Sequence, residues 1–259
     1  MQQAIVQTSQ FHSVLKQPLH NVFVYAPTII WVKKGYKQLL WRDNALEFDQ
    51  KDWLVVPANQ YLTFTNMTRH DVFYSRVLTL LEPPPEQWLL SQTPQPALTE
   101  PRMKATEPLI YCFNMLSEMG DKKLSLNTQK QLLLGFYQAL RENNQLSLLF
   151  PNTGSHLSEQ VARYLSALPG HNHKLETVAG HFSMSRATLI RKLAAEGSSF
   201  RQILTEIRMG YALSLLQESK SQLEVSLACG YQSHSRFSSR FTQQFGLTPY
   251  QYSQTLKQG

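Results

Sequence analysis

Two stretches about 48 residues apart share one plan, and this repetition restricts the C-terminal fold more than any other feature. KLETVAGHFSMSRATLIRKLAAEG (174–197) reads as a short helix, a tight turn and a second helix; LEVSLACGYQSHSRFSSRFTQQFG (223–246) repeats it. With about 100° of rotation per residue, Leu189 and Leu193 share one side of the first unit's second helix. Ala187, Ile190, Arg191 and Ala194 gather on the other side, flanked by Thr188 and Lys192. Phe237 and Phe241 take the matching i, i+4 places in the second unit. The joints SMS and GYQ have helix-turn-helix length, and Gly230 supplies the left-handed conformation such a joint needs. Between the units, SFRQILTEIRMGYALSLLQ sets Phe200, Ile203, Leu204, Ile207, Tyr211 and Leu215 on one stripe. That predicts one helix of about 27 Å. A rod of that length can hold two second helices about 34 Å apart, as adjacent major grooves require.

Charge supports a polyanionic partner for this half. Residues 151–259 hold 11 Lys/Arg against 6 Asp/Glu, a net of +5 out of +7 for all 259 residues. Such an excess suits nucleic acid. No apolar run approaches the length of a membrane span, and MQQAIVQTSQ lacks the basic-then-apolar pattern of a signal peptide. A cytoplasmic chain with no membrane contact is therefore expected. Cys112 and Cys229 form no CxxC, which argues against a disulfide framework or a zinc site.

Residues 20 to about 81 read as six or so strands: HNVFVYA, TIIWVKKGYKQLLW, ALEFD, DWLVVPA, QYLTFTN and DVFYSRVLTL, broken by KKG, RDN, DQKD and PAN. A small sandwich or barrel follows. Prolines punctuate 82–101, read as a connection containing a short helix. EPLIYCFNMLSEMG and SLNTQKQLLLGFYQALRENN then read as two amphipathic helices that either close the β-core or form a dimer seam. LFPNTGS breaks the pattern and marks a domain boundary. Beyond it the chain reads as seven helices, at 156–168, 174–182, 185–196, 199–218, 222–229, 233–244 and 248–256.

The C-terminal residues resemble the DNA-binding domain of the AraC/XylS family of bacterial transcription regulators. Ala179, Ser185, Leu189 and Leu193 carry the resemblance in the first unit, then IRMGYALSLL at 207–216, then LACGYQSHSRFSSRFTQQFGLTP in the second. In FGLTP, Gly246 closes one helix, Thr248 caps the next and Pro249 fits its first turn. The sequence departs from the family at Ser183, where the first turn usually has Gly, at Ser226, where Ala is usual, and at Leu193 and Arg236, where aromatics are usual. The strand-rich start and paired helices are similar to the family's cupin-like domain, and the layout resembles a branch of virulence and stress regulators. The implied class is α+β: a cupin-like β-domain with its connection over 1–100, a helical pair over 101–148, a linker over 149–155 and an all-α DNA-binding domain over 156–259. The resemblance further implies double-stranded DNA and RNA polymerase as partners, a homodimer, a fatty-acid or other carboxylate effector, and no cofactor. Lysines hold that carboxylate in some members; here Lys33, Lys34 and Lys37 lie near Trp31 and Tyr36 and match no family position, so they are either a solvated strand end or a ligand site, for which Trp31, Lys33, Lys34 and Tyr36 stand as candidates.

In the first recognition helix Arg191 is expected to read guanine through its N7 and O6 acceptors. Ile190 either meets a thymine methyl or packs on a neighbouring helix, and Ala187 shares its face. Arg186, Thr188 and Lys192 suit phosphates at the rims. In the second helix Ser235, Ser238 and Ser239 are expected to face outward, with Arg236 and Arg240 on one flank and His234 on the other. That unit should add affinity more than base choice. An enzyme is disfavoured. The β-half offers only His12, His20 and His70 as imidazole ligands, without HxH, and HNH at 171–173 lies in a predicted loop. Phosphate loops and hydrolase elbows are missing too. No catalytic or metal-binding residue is expected. The remaining alternative is a protein-binding antagonist of other regulators that has lost DNA contact.

Overall fold

The computed structural model describes residues 4–90, 100–151 and 156–257. Part of the Pro-rich connection (91–99) and most of the expected linker (152–155) lie outside them.

Among the described residues nine strands form two antiparallel sheets. The strands are β1 (Val6–Ser13), β2 (Gln17–Val24), β3 (Thr28–Lys34), β4 (Tyr36–Trp41), β5 (Asn44–Phe48), β6 (Asp52–Val56), β7 (Gln60–Met67), β8 (Phe73–Leu80) and β9 (Arg102–Lys104). One sheet runs β1-β8-β3-β6-β9 and the other β2-β7-β4-β5. Two strands were not legible beforehand. VQTSQFHS is mostly polar because β1 is an edge strand, and RMK is a three-residue strand among prolines that pairs with β6. The sheet thus draws on residues past 100.

The first five residues of β3 are buried because both faces of that sheet are covered. Its inner face meets the second sheet. Its outer face is covered by α2 (Glu107–Glu118), α3 (Leu126–Glu142) and α4 (Leu146–Leu149). Phe113 of α2 stands edge-on to Trp31, with centroids 5.5 Å apart, and lies 5.3 Å from Trp53. Leu109, Leu116, Leu133, Phe136, Tyr137 and Leu140 join them, so the helical pair closes the β-core. A short α1 (Glu86–Leu90) precedes the connection.

The last hundred residues fold as the periodicity predicts: α5 (Leu157–Ser166), α6 (Leu175–His181), α7 (Arg186–Ala195), α8 (Phe200–Gln217), α9 (Gln222–Ala228), α10 (His234–Phe245) and α11 (Pro249–Gln254). Leu189 and Leu193 of α7 are buried with Val178, Ala179, Ile203 and Ile207. Phe237, Phe241 and Phe245 of α10 are buried with Met209, Leu213 and Leu216 of α8, in a core continuous with the inner β-sandwich residues Leu19, Leu39 and Phe64.

The two halves are therefore docked. The Gln217 side-chain oxygen accepts from the His12 backbone N–H at 3.0 Å, while its amide nitrogen donates to Tyr252 Oη at 2.6 Å. The Val14 N–H donates to the Thr255 carbonyl at 2.8 Å. Truncating Phe113→Ala removes the ring that packs against both tryptophans and should lower stability by about 3–5 kcal/mol in urea unfolding.

Candidate nucleic-acid interface and effector cavity

Each recognition helix is started by a serine. Ser185 Oγ accepts from the Thr188 N–H at 3.1 Å to open α7, and Ser233 Oγ from the Arg236 N–H at 3.4 Å to open α10. Gly246 closes α10 in the left-handed conformation (φ +78°), and Thr248 with Gln251 forms a capping box around Pro249. These caps fix where each helix begins, and hence which side chains it turns outward.

On α7, Arg186, Ala187, Ile190, Arg191 and Lys192 are exposed. Ile190 is 51 % accessible, so it does not pack on a neighbouring helix. Thr188 is half-buried, its hydroxyl 2.9 Å from that of Ser185. Arg186 is already paired with Glu176 of α6 at 2.9 Å. On α10, His234, Ser235, Arg236, Ser239 and Arg240 are exposed. Ser238 departs from expectation: it is half-buried, only about 60° from the phenylalanine stripe. The outward position falls to Gln243, which accepts from Arg240 at 2.9 Å.

The joints differ in strain. Gly230 sits at φ +76°, and a Cβ there would stand 2.7 Å from the Gly170 carbonyl oxygen. A Cβ on Gly170 would in turn overlap the Ala228 carbonyl, so the loop after α5 presses on the second joint backbone to backbone. Arg208 of α8 braces the same place, donating to the carbonyls of Pro169 at 3.3 Å and His171 at 3.1 Å. HNH is part of this packed loop, with His173 Nε2 2.8 Å from the Leu168 carbonyl. Ser183, at the first joint, holds φ +54° without glycine's freedom. Ser226 is buried, and its hydroxyl is satisfied by the Leu223 carbonyl at 2.8 Å.

The four ligand candidates do not share a cavity. Trp31 is buried in the core, its Nε1 donating to the Gln50 carbonyl at 3.1 Å. Lys33 lies 3.4 Å over the Trp31 ring, and Lys33 and Lys34 line a polar cleft with Arg69 and His70 at the sandwich end. Tyr36 lies under Arg69 instead. Strand alternation is the cause: Trp31 and Lys33 point to the helix-covered outer face, while Lys37 and Leu39 of β4 point inward.

Inward is where the apolar cavity lies. It encloses about 160 Å³ between the sandwich and helices α5 and α8, with Leu19, Val24, Ile30, Leu62, Phe64 and Leu213 among its walls. One water needs only about 10–15 Å³ on the same measure, so the space suits a ligand. Lys37, 3 % accessible, enters this cavity. Its Nζ sits 3.4 Å over the Phe64 ring and donates to Asn66 Oδ1 at 2.5 Å. Asn66 donates to Gln17 Oε1 at 2.9 Å, and Gln17 to Thr255 Oγ1 at 2.5 Å, beyond the end of α11. Burial alone holds the Lys37 amine well below the usual lysine pKa. Such a group is ready to regain its charge beside an anion.

The family model described as a helix-turn-helix domain matches residues 178–255, which contain the second unit whole and the first from within α6 onward. The porin thermoregulatory protein EnvY of Escherichia coli is 30% identical over 168 residues, covering 59% of this chain and 66% of EnvY. The chain belongs to the AraC/XylS family. The urease operon transcriptional activator of Escherichia coli is 32% identical over 147 residues, 56% of this chain and 49% of its own length. The chain thus spans between about half and just under two thirds of these relatives. The solved structure of ToxT from Vibrio cholerae matches with a TM-score of 0.60 at 15% identity over 98% of this chain and 100% of ToxT, which shows a shared fold.

The two joints should respond oppositely to substitution. Gly230→Ala is expected to lose about 1–3 kcal/mol, and Ser183→Gly to gain up to about 1 kcal/mol, in thermal or urea unfolding.

Proposed function

We propose that this AraC/XylS family chain is a sequence-specific DNA-binding transcription regulator, acting as an activator, with a carboxylate-sensing β-domain. The observation that carries DNA binding is that α7 and α10, each capped and anchored by buried residues, leave Arg191, Lys192, Arg236 and Arg240 exposed. In this reading Arg191 and Ile190 contact base edges, Arg186, Thr188 and Lys192 the phosphates, and α10 supplies mainly affinity through His234, Ser235, Arg236, Ser239 and Arg240. Arg186 must leave Glu176 to do so. Activation, with its contact to RNA polymerase, is supported by relatives named as activators. Homodimerisation is supported by family likeness alone. ToxT of Vibrio cholerae has been solved with an unsaturated fatty acid bound. Here the apolar cavity would take the acyl chain and Lys37 the carboxylate, rather than Trp31, Lys33, Lys34 and Tyr36.

Selection of genomic fragments followed by salt-dependent gel shifts tests the DNA reading; an antagonist without DNA contact would show no shift. Arg191→Ala is expected to cost about 1–3 kcal/mol on the selected site and relax one base pair, whereas Arg240→Ala weakens selected and random duplexes alike. Equal effects of both on both duplexes would refute this division. For the effector, medium- and long-chain fatty acids should raise the Tm of the full chain and leave Lys37→Met unmoved. That variant stays folded, because Lys37 forms no ion pair among the described residues and Met fills a similar volume. A flat wild-type response across the panel would remove the effector.

A further inference from the structure

A second, larger hollow of about 580 Å³ opens where three segments meet. One wall is the first turns of α8, with Ser199, Arg201, Gln202 and Thr205; it begins four residues after the end of α7. The opposite wall is the flank of α10, with Arg240, Gln243 and Gln244. The third wall comes from the β-domain, with Asn21 and Tyr61. Every lining side chain carries a polar group.

The β-domain wall is built. The pairing of β2 with β7 shifts between Leu19 and Val22, and Asn21, exposed and at φ +49°, stands on that bulge. Gln244 Nε2 reaches the Asn21 carbonyl at 3.5 Å. At the floor, the Tyr61 hydroxyl donates to Glu206, and Gln202 donates to the same carboxylate at 3.1 Å. The one acid of the hollow is therefore turned onto neutral donors. Its two arginines form no ion pair among the described residues. Two arginines unpaired with that one carboxylate, in a polar hollow between the start of α8 and the flank of α10, form an anion-binding arrangement. Between successive major grooves a duplex presents its phosphate backbone, an anion of the kind such an arrangement takes.

We propose that the hollow seats a phosphodiester of that backbone, with Arg201 and Arg240 as its ligands and Asn21 and Tyr61 as its far wall. The β-domain then takes part in DNA affinity. This rests on the DNA-binding reading above and adds a site to it.

Fluorescence anisotropy of the full chain with a selected duplex, titrated across salt, tests it. Removing one phosphate contact lowers the salt slope by about 0.9, so the wild-type advantage over Arg201→Ala should shrink about 3.5-fold between about 50 and 200 mM salt. Arg201→Lys should keep the slope. Asn21→Asp, which tolerates the same backbone and places an anion on the β-domain wall, should weaken binding most at low salt. Both positions are exposed, and unchanged melting curves would show the variants folded. An unaltered slope for Arg201→Ala, or unaltered affinity for Asn21→Asp, overturns the proposal. A wild-type chain without salt-dependent binding would instead defeat the DNA-binding reading itself.

Discussion

Helix α8 has to serve two cores at once. Ile203 and Ile207 are buried with the first helix-turn-helix unit, and Met209, Ala212, Leu213, Leu215 and Leu216 with the second unit and the inner β-sandwich. A helix of 18 residues is barely stable alone in water. Each buried aliphatic side chain contributes about 1.5–3 kcal/mol, so tertiary burial rather than propensity keeps this one formed. Neither reading head nor the β-domain can shift far without exposing part of that surface. The relation between helices α7 and α10 and the apolar cavity is thus set by one element that borders both.

What could be read from the sequence follows the range of the interactions. The C-terminal helices were legible because their signals are local: the i, i+4 pairs Leu189/Leu193 and Phe237/Phe241, the serine caps, and the Gly246–Thr248–Pro249 ending. Ser238 was misjudged because an outward face was assigned by residue type where rotation about the helix axis decides. β1 and β9 escaped because an edge strand need not be apolar and a three-residue strand has no period. The ligand site was placed among Trp31, Lys33, Lys34 and Tyr36 by the clustering of lysines. Applying the two-residue alternation of β4 would have separated Lys37, which shares a buried face with Leu39, from Lys33 and Lys34. The polar hollow could not be found this way, because Asn21, Tyr61, Arg201 and Arg240 become neighbours only once the halves dock.

The buried polar thread from Lys37 through Asn66 and Gln17 to Thr255 shows how such docking is made specific. Apolar contacts between the sandwich and α8 would tolerate sliding. Hydrogen bonds among buried groups do not, because each member left unpaired costs about 1–3 kcal/mol. Amide and hydroxyl partners are suited to this place. A second charge would have fixed the lysine in its protonated form, whereas Asn66 satisfies the amine in either state.

The contact between Gly170 and Gly230 has a different sort of consequence. Side chains on α7 and α10 can change without touching it, since neither helix supplies an atom to that backbone meeting. The faces that the two heads present are therefore free to drift, residue by residue, while the joint behind them stays set by two backbone segments lying too close for any side chain to intervene. A protein built in this way can alter what it presents, but not the joint that holds it.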